Sequence, residues 1–158
     1  MKLLTSDNSS TISVGRYRID TERRMRIEEY QGKVVLDDLK AIVSAMSSDP
    51  CWSPDFHGLV DFSEAELELS SNDVLRLALM LRQEGHRSRG WLVFAVRNSV
   101  AYGVVRMLGY WSRNTDRFRI FQSREEAEGW LERHVDKSPP GFREANVARQ
   151  EAGLRNVV

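Results

Sequence analysis

The sequence predicts an α/β domain: a mixed, mostly parallel sheet of about five strands with about four helices. Three observations predict it. Runs of strand-like alternation are separated, from residue 35 onward, by longer runs with apolar residues at helical spacing. A polar turn, Asp20-Thr21-Glu22-Arg23, joins the first two strands as a hairpin. Trp91-Leu92-Val93-Phe94-Ala95-Val96 is continuously apolar, the pattern of a central strand covered on both faces.

In chain order, Ile12, Val14, Tyr17 and Ile19 alternate roughly, and Met25, Ile27 and Glu29 alternate with Arg26, Glu28 and Tyr30 up to Gly32, which is read as the end of the second strand. From Val35 the period changes. Leu36, Leu39, Ile42, Val43 and Met46 fall on one helical face, with Asp37 and Asp38 in the favourable first turn and Asp49-Pro50 as the stop. A loop then leads into a strand from Phe56 to Phe62, followed by an acidic loop and a helix from about Ser71 to Glu84, with Gly85 as its stop. After the apolar strand, Asn98 or Ser99 caps a helix through Tyr102, Val105, Leu108 and Trp111. Phe118-Arg119-Ile120-Phe121 is a last short strand. Ser123-Arg124-Glu125-Glu126 has capping-box spacing and opens a helix with Ala127, Trp130, Leu131 and His134 on its face. The order β-β-α-β-α-β-α-β-α implies right-handed crossovers and an antiparallel edge strand. The expected organisation is a polar arm over 1–11, one domain over 12–137 and a tail over 138–158 with at most a short helix from Arg143 to Ala152.

Composition narrows the function. The chain has 158 residues, 41% hydrophobic and 29% charged, with 23 basic residues against 23 acidic ones. Nucleic-acid binding therefore lacks the net positive charge that normally drives it. Arg82, His86, Arg87 and Arg89 read as a solvated turn. Cys51 is the only cysteine, which excludes an internal disulfide and fits a reducing cytoplasm. The opening Met1-Lys2-Leu3-Leu4-Thr5-Ser6-Asp7 turns polar too early for a signal-peptide core, and no apolar run approaches membrane-spanning length. A cytoplasmic protein is expected.

Candidate sites come from residue types in context. Ser70 and Ser71 open a helix, where serine is a favoured cap and where a phosphate would sit in the helix N-terminal field. Asp61 ends an apolar strand, with Glu64 and Glu66 close behind, so an acidic edge site is one candidate. A receiver-type phosphoacceptor at Asp61 would need an acidic pair after the first strand to hold magnesium, and that pair is missing. His57, His86 and His134 share no ligand spacing, glycine-rich phosphate loops are missing, and Ser99 lacks a nucleophile elbow. No catalytic residue, metal or cofactor is expected. Trp52, Tyr102, Met107 and Trp111 are candidate interface residues. Between Ser99 and Trp111 the helix is apolar on two faces, Val100, Val104, Met107 and Trp111 forming one of them, so a homodimer through this helix is expected.

Six segments carry a family resemblance: Gly32 with Val34-Val35-Leu36-Asp37-Asp38-Leu39; Asp49-Pro50-Cys51-Trp52; Leu59-Val60-Asp61-Phe62-Ser63; Leu69-Ser70-Ser71-Asn72-Asp73-Val74; Ala101 through Met107; and Glu125 through Leu131. In this order, over about residues 12 to 135, they resemble the STAS superfamily and more closely its SpoIIAA-like (STAS/SEC14-type) stand-alone bacterial domains. In anti-sigma-factor antagonists of that superfamily a partner kinase phosphorylates a serine at the start of the helix after the third strand. The matching place here is Leu69-Ser70-Ser71-Asn72, where the serine is present but the preceding aspartate and following glycine of the family motif are not. The resemblance implies a bacterial regulatory or protein-interaction domain without catalytic activity, its protein partner unidentified. The alternative it implies is a small apolar-ligand or lipid-binding protein, and an enzyme built around Asp61, Glu64 and Glu66 is a third reading.

Overall fold

The computed structural model describes residues 14–135. The arm over 1–11, the tail over 138–158 and the short helix expected from Arg143 lie outside the described residues. Five strands run in the spatial order β1 (Gly15–Asp20), β2 (Met25–Val34), β3 (His57–Leu67), β4 (Leu92–Ala95), β5 (Phe118–Phe121). β1 pairs antiparallel with β2, and all later pairings are parallel. Leu59 stands opposite Val93, the central parallel pairing the sequence predicts.

The helices are α1 (Leu36–Ser47), α2 (Ser71–Leu81), α3 (Ser99–Trp111) and α4 (Arg124–His134). Successive strands are added on the same side, so right-handed crossovers put α1, α2 and α3 on one face of the sheet. Their Leu39, Val74, Leu77, Ala101 and Val105 pack there with Val60, Phe62 and Phe94. A row of rings, one from each of β2 to β5, fills the space beneath them. Tyr30 meets Phe62 at 5.2 Å, Phe62 stacks on Phe94 at 6.1 Å, and Phe94 meets Phe118 at 4.9 Å. α4 follows the last strand, is free of any crossover, and covers the opposite face with Ala127 and Leu131 against Leu59, Trp91, Val93 and Ala95.

Caps explain the helix starts. Ser70, Asn98 and Ser123 each accept a backbone N–H from three residues ahead, at 3.1, 2.8 and 3.2 Å. At α1 no side-chain oxygen plays that part; Asp38 reaches back to the Val35 N–H instead. α2 ends at Leu81 with Arg82 as its cap, short of the expected Gly85, which lies in a 3₁₀ turn, Glu84–His86.

The main departure from expectation is the length of β2 and β3. Gly32 does not end β2, and Glu64–Leu67 is strand, not loop. Glu29 pairs with Asp61 but Gln31 pairs with Glu64, so β3 carries one extra residue in a bulge, with Gly32 at φ +70° just beyond it. Past the bulge the alternation on β3 flips. Ala65 and Leu67 join Phe62 in the core under the helices, while Glu64 and Glu66 are exposed.

Candidate functional site

The bulge sets up a charged cleft at the carboxyl edge of the parallel strands, where open α/β sheets usually place their sites. Without the extra residue, Asp61 and Glu64 would point to opposite faces; with it they share the face that α4 covers, beside Glu29 of β2. Arg16, Glu29, Tyr30, Gln31, Asp61, Glu64 and Arg124 line a cleft of about 370 Å³.

Arg124, in the first turn of α4, is its hub. Its Nη1 donates to Glu29 Oε1 at 2.7 Å and lies 3.4 Å from Asp61 Oδ2, and its Nε donates to Glu128 Oε1 at 2.9 Å. Arg16 closes on Glu29 from β1. Asp61 also accepts the Ser63 backbone N–H at 2.9 Å and the Ser63 hydroxyl, and Glu64 pairs with Arg97 at 3.4 Å. The hydrogen bond from Arg124 holds the Glu29 carboxyl below its ordinary pKa, against burial, with Arg16 assisting. Partial burial works against the charge on Arg124, but its bonds to Glu29 and Glu128 outweigh that and raise its pKa. A carboxylate held ionised by two arginines is a poor proton donor, so Glu29 is suited to fixing α4 on β2 rather than to acid–base work. Glu28 is a carboxyl with the opposite tendency: burial pushes its pKa up while Arg26 pulls it down, and it faces the helix layer on the other side of the sheet.

The serine pair lies at the same edge but on the helix-layer side. The Ser70 hydroxyl accepts from the Asp73 N–H while the Asp73 carboxylate accepts from the Ser70 N–H at 3.0 Å, a complete capping box; Ser71 is the first residue of α2.

A second candidate surface runs along α2 and α3, which lie side by side and point the same way. Gly109 of α3 faces Phe118 of β5, where an added Cβ would come within 2.9 Å of the ring. The opposite flank of α3, Val100, Val104, Met107 and Trp111, therefore turns toward α2. Leu75 and Leu79 are on the matching flank of α2. Leu75, Leu79 and Val100 are 39%, 48% and 62% exposed, and on the far side of α3 Tyr102 and Tyr110 are 45% and 73% exposed. Met107 and Trp111 are partly buried at the base of this strip, packed against the core. Trp52 stands apart from them in the loop after α1, half-buried, its indole N–H without a hydrogen-bond partner among the described residues. No sequence pattern singles out Glu29, Arg16 or Arg124 as site residues. Arg124 and Glu29 are 95 positions apart, and only the sheet order brings them together.

Among the described residues, no group of three or more His, Cys, Asp or Glu side chains is arranged to hold a metal ion. Nor is any helix there long and apolar enough to cross a membrane.

The five-stranded order with one antiparallel edge, three helices on one face and a terminal helix on the other is that of a SpoIIAA-like α/β domain. One solved structure that shows this is an uncharacterised protein of the DUF3478 family with a SpoIIAA-like fold from Shewanella loihica PV-4. It superposes with a TM-score of 0.53 at 18% identity, over 79% of this chain and 99% of that one. At that identity the likeness speaks for the fold. No family model matches the sequence, and no curated protein matches it.

Proposed function

We propose that this chain is a SpoIIAA-like regulatory or protein-interaction domain that acts by contact and not by catalysis. The observation that carries the reading is the exposed apolar strip on α2 and α3 lying over a filled core. A carrier of apolar ligands needs an open volume between helices and sheet, and the ring row from Tyr30 to Phe118 occupies that space. Exposed leucine, valine and tyrosine side chains on two adjoining helices favour a surface that another protein covers. The homodimer expected through Tyr102, Met107 and Trp111 is a separate form that contact through α3 could take, and light scattering tests it against the monomer mass of 18.2 kDa. A cytoplasmic setting suits the unpaired Cys51.

The decisive experiment is cross-linked affinity capture from the native cell with mass spectrometry, run beside Leu79→Glu. A specific protein captured by the wild type and lost in the variant supports the reading. Stoichiometric zinc or iron by elemental analysis, magnesium-dependent nucleotide turnover or a co-purifying lipid by native mass spectrometry would each overturn it.

A further inference from the structure

We infer that the α2–α3 strip receives an amphipathic helix of a partner protein, its apolar stripe flanked by aspartate and glutamate. The inference rests on the interaction role proposed above and names the chemistry of the partner.

Shape comes first. Two neighbouring helices pointing the same way leave a straight trough between them, and its walls are apolar: Leu75 and Leu79 on one side, Val100, Val104 and Met107 on the other. A helix with apolar residues at three- and four-residue steps fits such a trough. Gly103, on the outer surface of α3, has open space where its side chain would be, so a rod can approach closely there.

Charge selects the flanks. α2 and α3 hold a single carboxylate between them, Asp73, and it is engaged in the cap of α2. Their exposed charges are otherwise Arg76 and Arg106, and Arg106 lies over the Tyr102 ring at 5.8 Å, with Tyr110 one turn further on. Tyrosine, methionine and arginine around a leucine trough are the residue types enriched at interfaces. A second copy is the weaker occupant: two-fold pairing of the strip sets one nearly acid-free, arginine-bearing surface against another. A lipid surface is weaker as well, because Leu75 and Val104 line a trough instead of standing on a crest that could enter a bilayer.

The test selects binders to the intact chain from a display library of helical peptides, with counter-selection on Leu79→Glu. Leu79 is half-exposed, so the variant should match the wild type in circular dichroism and urea melts. The expected peptides show an apolar i, i+3, i+4, i+7 pattern with acidic flanks. They should bind Leu79→Glu at least tenfold more weakly and the Arg76→Glu, Arg106→Glu double variant at least threefold more weakly. Peptides without helical period, with basic flanks, or indifferent to Leu79→Glu would overturn the inference, as would an empty selection. So would self-association or binding to anionic phosphatidylglycerol vesicles that the same variants abolish. Photo-cross-linking from position 100 in the native cell separates the two levels. A cross-link to a non-helical or basic segment of a partner leaves the interaction role standing and sinks the helix; no cross-link together with no peptide sinks both.

Discussion

His57 opens β3, and its ring makes two bonds that demand opposite things of its nitrogens. Nδ1 accepts the Trp91 backbone N–H at 2.9 Å, whereas Nε2 faces the Val135 carbonyl at 3.3 Å and must donate. Only the neutral tautomer with its proton on Nε2 satisfies both, so the imidazole joins the start of β4 and the end of α4 to the central strand. Burial pushes its pKa below the ordinary 6.5; the Val135 carbonyl opposes this and Arg24 adds to it. The sign follows directly. Below pH 6.5 the unfolded chain takes up a proton that the folded one refuses, so the stabilisation is whole above about pH 6.5 and drains away as pH falls toward the lower folded value. The slope contributed by this group is at most about 1.4 kcal/mol per pH unit. In His57→Leu the buried Trp91 N–H loses its imidazole acceptor, at a cost of about 1–3 kcal/mol near neutral pH. In His57→Asn the amide oxygen stands near the place of Nδ1 and keeps that bond without titrating. Urea melts at pH 5, 6, 7 and 8 on the three proteins measure both effects. An acid-side slope in His57→Asn equal to that of the wild type, or a His57→Leu within about 0.5 kcal/mol of it, would refute the argument.

Replacing Ser70 and Ser71 together with alanine should cost about 1–2 kcal/mol in a urea melt, whereas Ser70→Asp should keep most of the cap. An unchanged double variant alongside phosphoserine in native protein would instead assign the pair to regulation. Arg124→Met should lose only about 1 kcal/mol, since its partners are partly exposed, and Glu29 should titrate nearer the ordinary carboxylate range by carbon-13 NMR. Because the Glu29 pKa is lowered in the fold, its contribution is present above the unfolded carboxylate value and lost as pH falls, so this variant should be less sensitive to acid than the wild type. Gly90→Ala should destabilise by about 1–3 kcal/mol, because its Cβ would sit 2.5 Å from the Phe56 carbonyl oxygen. Gly103→Ala, with nothing nearby, should gain about 0.5–1 kcal/mol from helix propensity.

Element order and helix starts were legible because each rests on local chemistry: Ser70, Asn98 and Ser123 announce caps, and the apolar period changes from two to about 3.6 around each. The extent of β3 was not legible. One extra residue at the bulge reverses the alternation, so Glu64-Ala65-Glu66-Leu67 reads as an acidic loop unless its pairing with β2 is known. The inward side of β2 was equally opaque. Arg26 and Glu28 sit where a strand with one wet face would place solvent-exposed residues, yet α1 covers both, with Arg26 Nη1 3.6 Å from Met46 Sδ. Of the candidate sites, the serine cap was visible from three consecutive positions. The Arg124 hub was not, because Glu29 and Asp61 come to it from two strands, with Arg16 reaching Glu29 from a third, and no spacing along the chain encodes that meeting.

The ring row has a consequence for how the chain reaches this state. Tyr30, Phe62, Phe94 and Phe118 belong to consecutive strands, and each contact spans more than twenty residues that include a whole crossover helix. No ring can find its neighbour until that length of chain has turned back on itself, so the row cannot assemble from a local seed. Folding speed is then governed by loop closure, with each added strand–helix–strand step rewarded by one further stacked ring. Phe62 and Phe94, each touching a ring on both sides, are the links through which partial folding at one end is passed to the other.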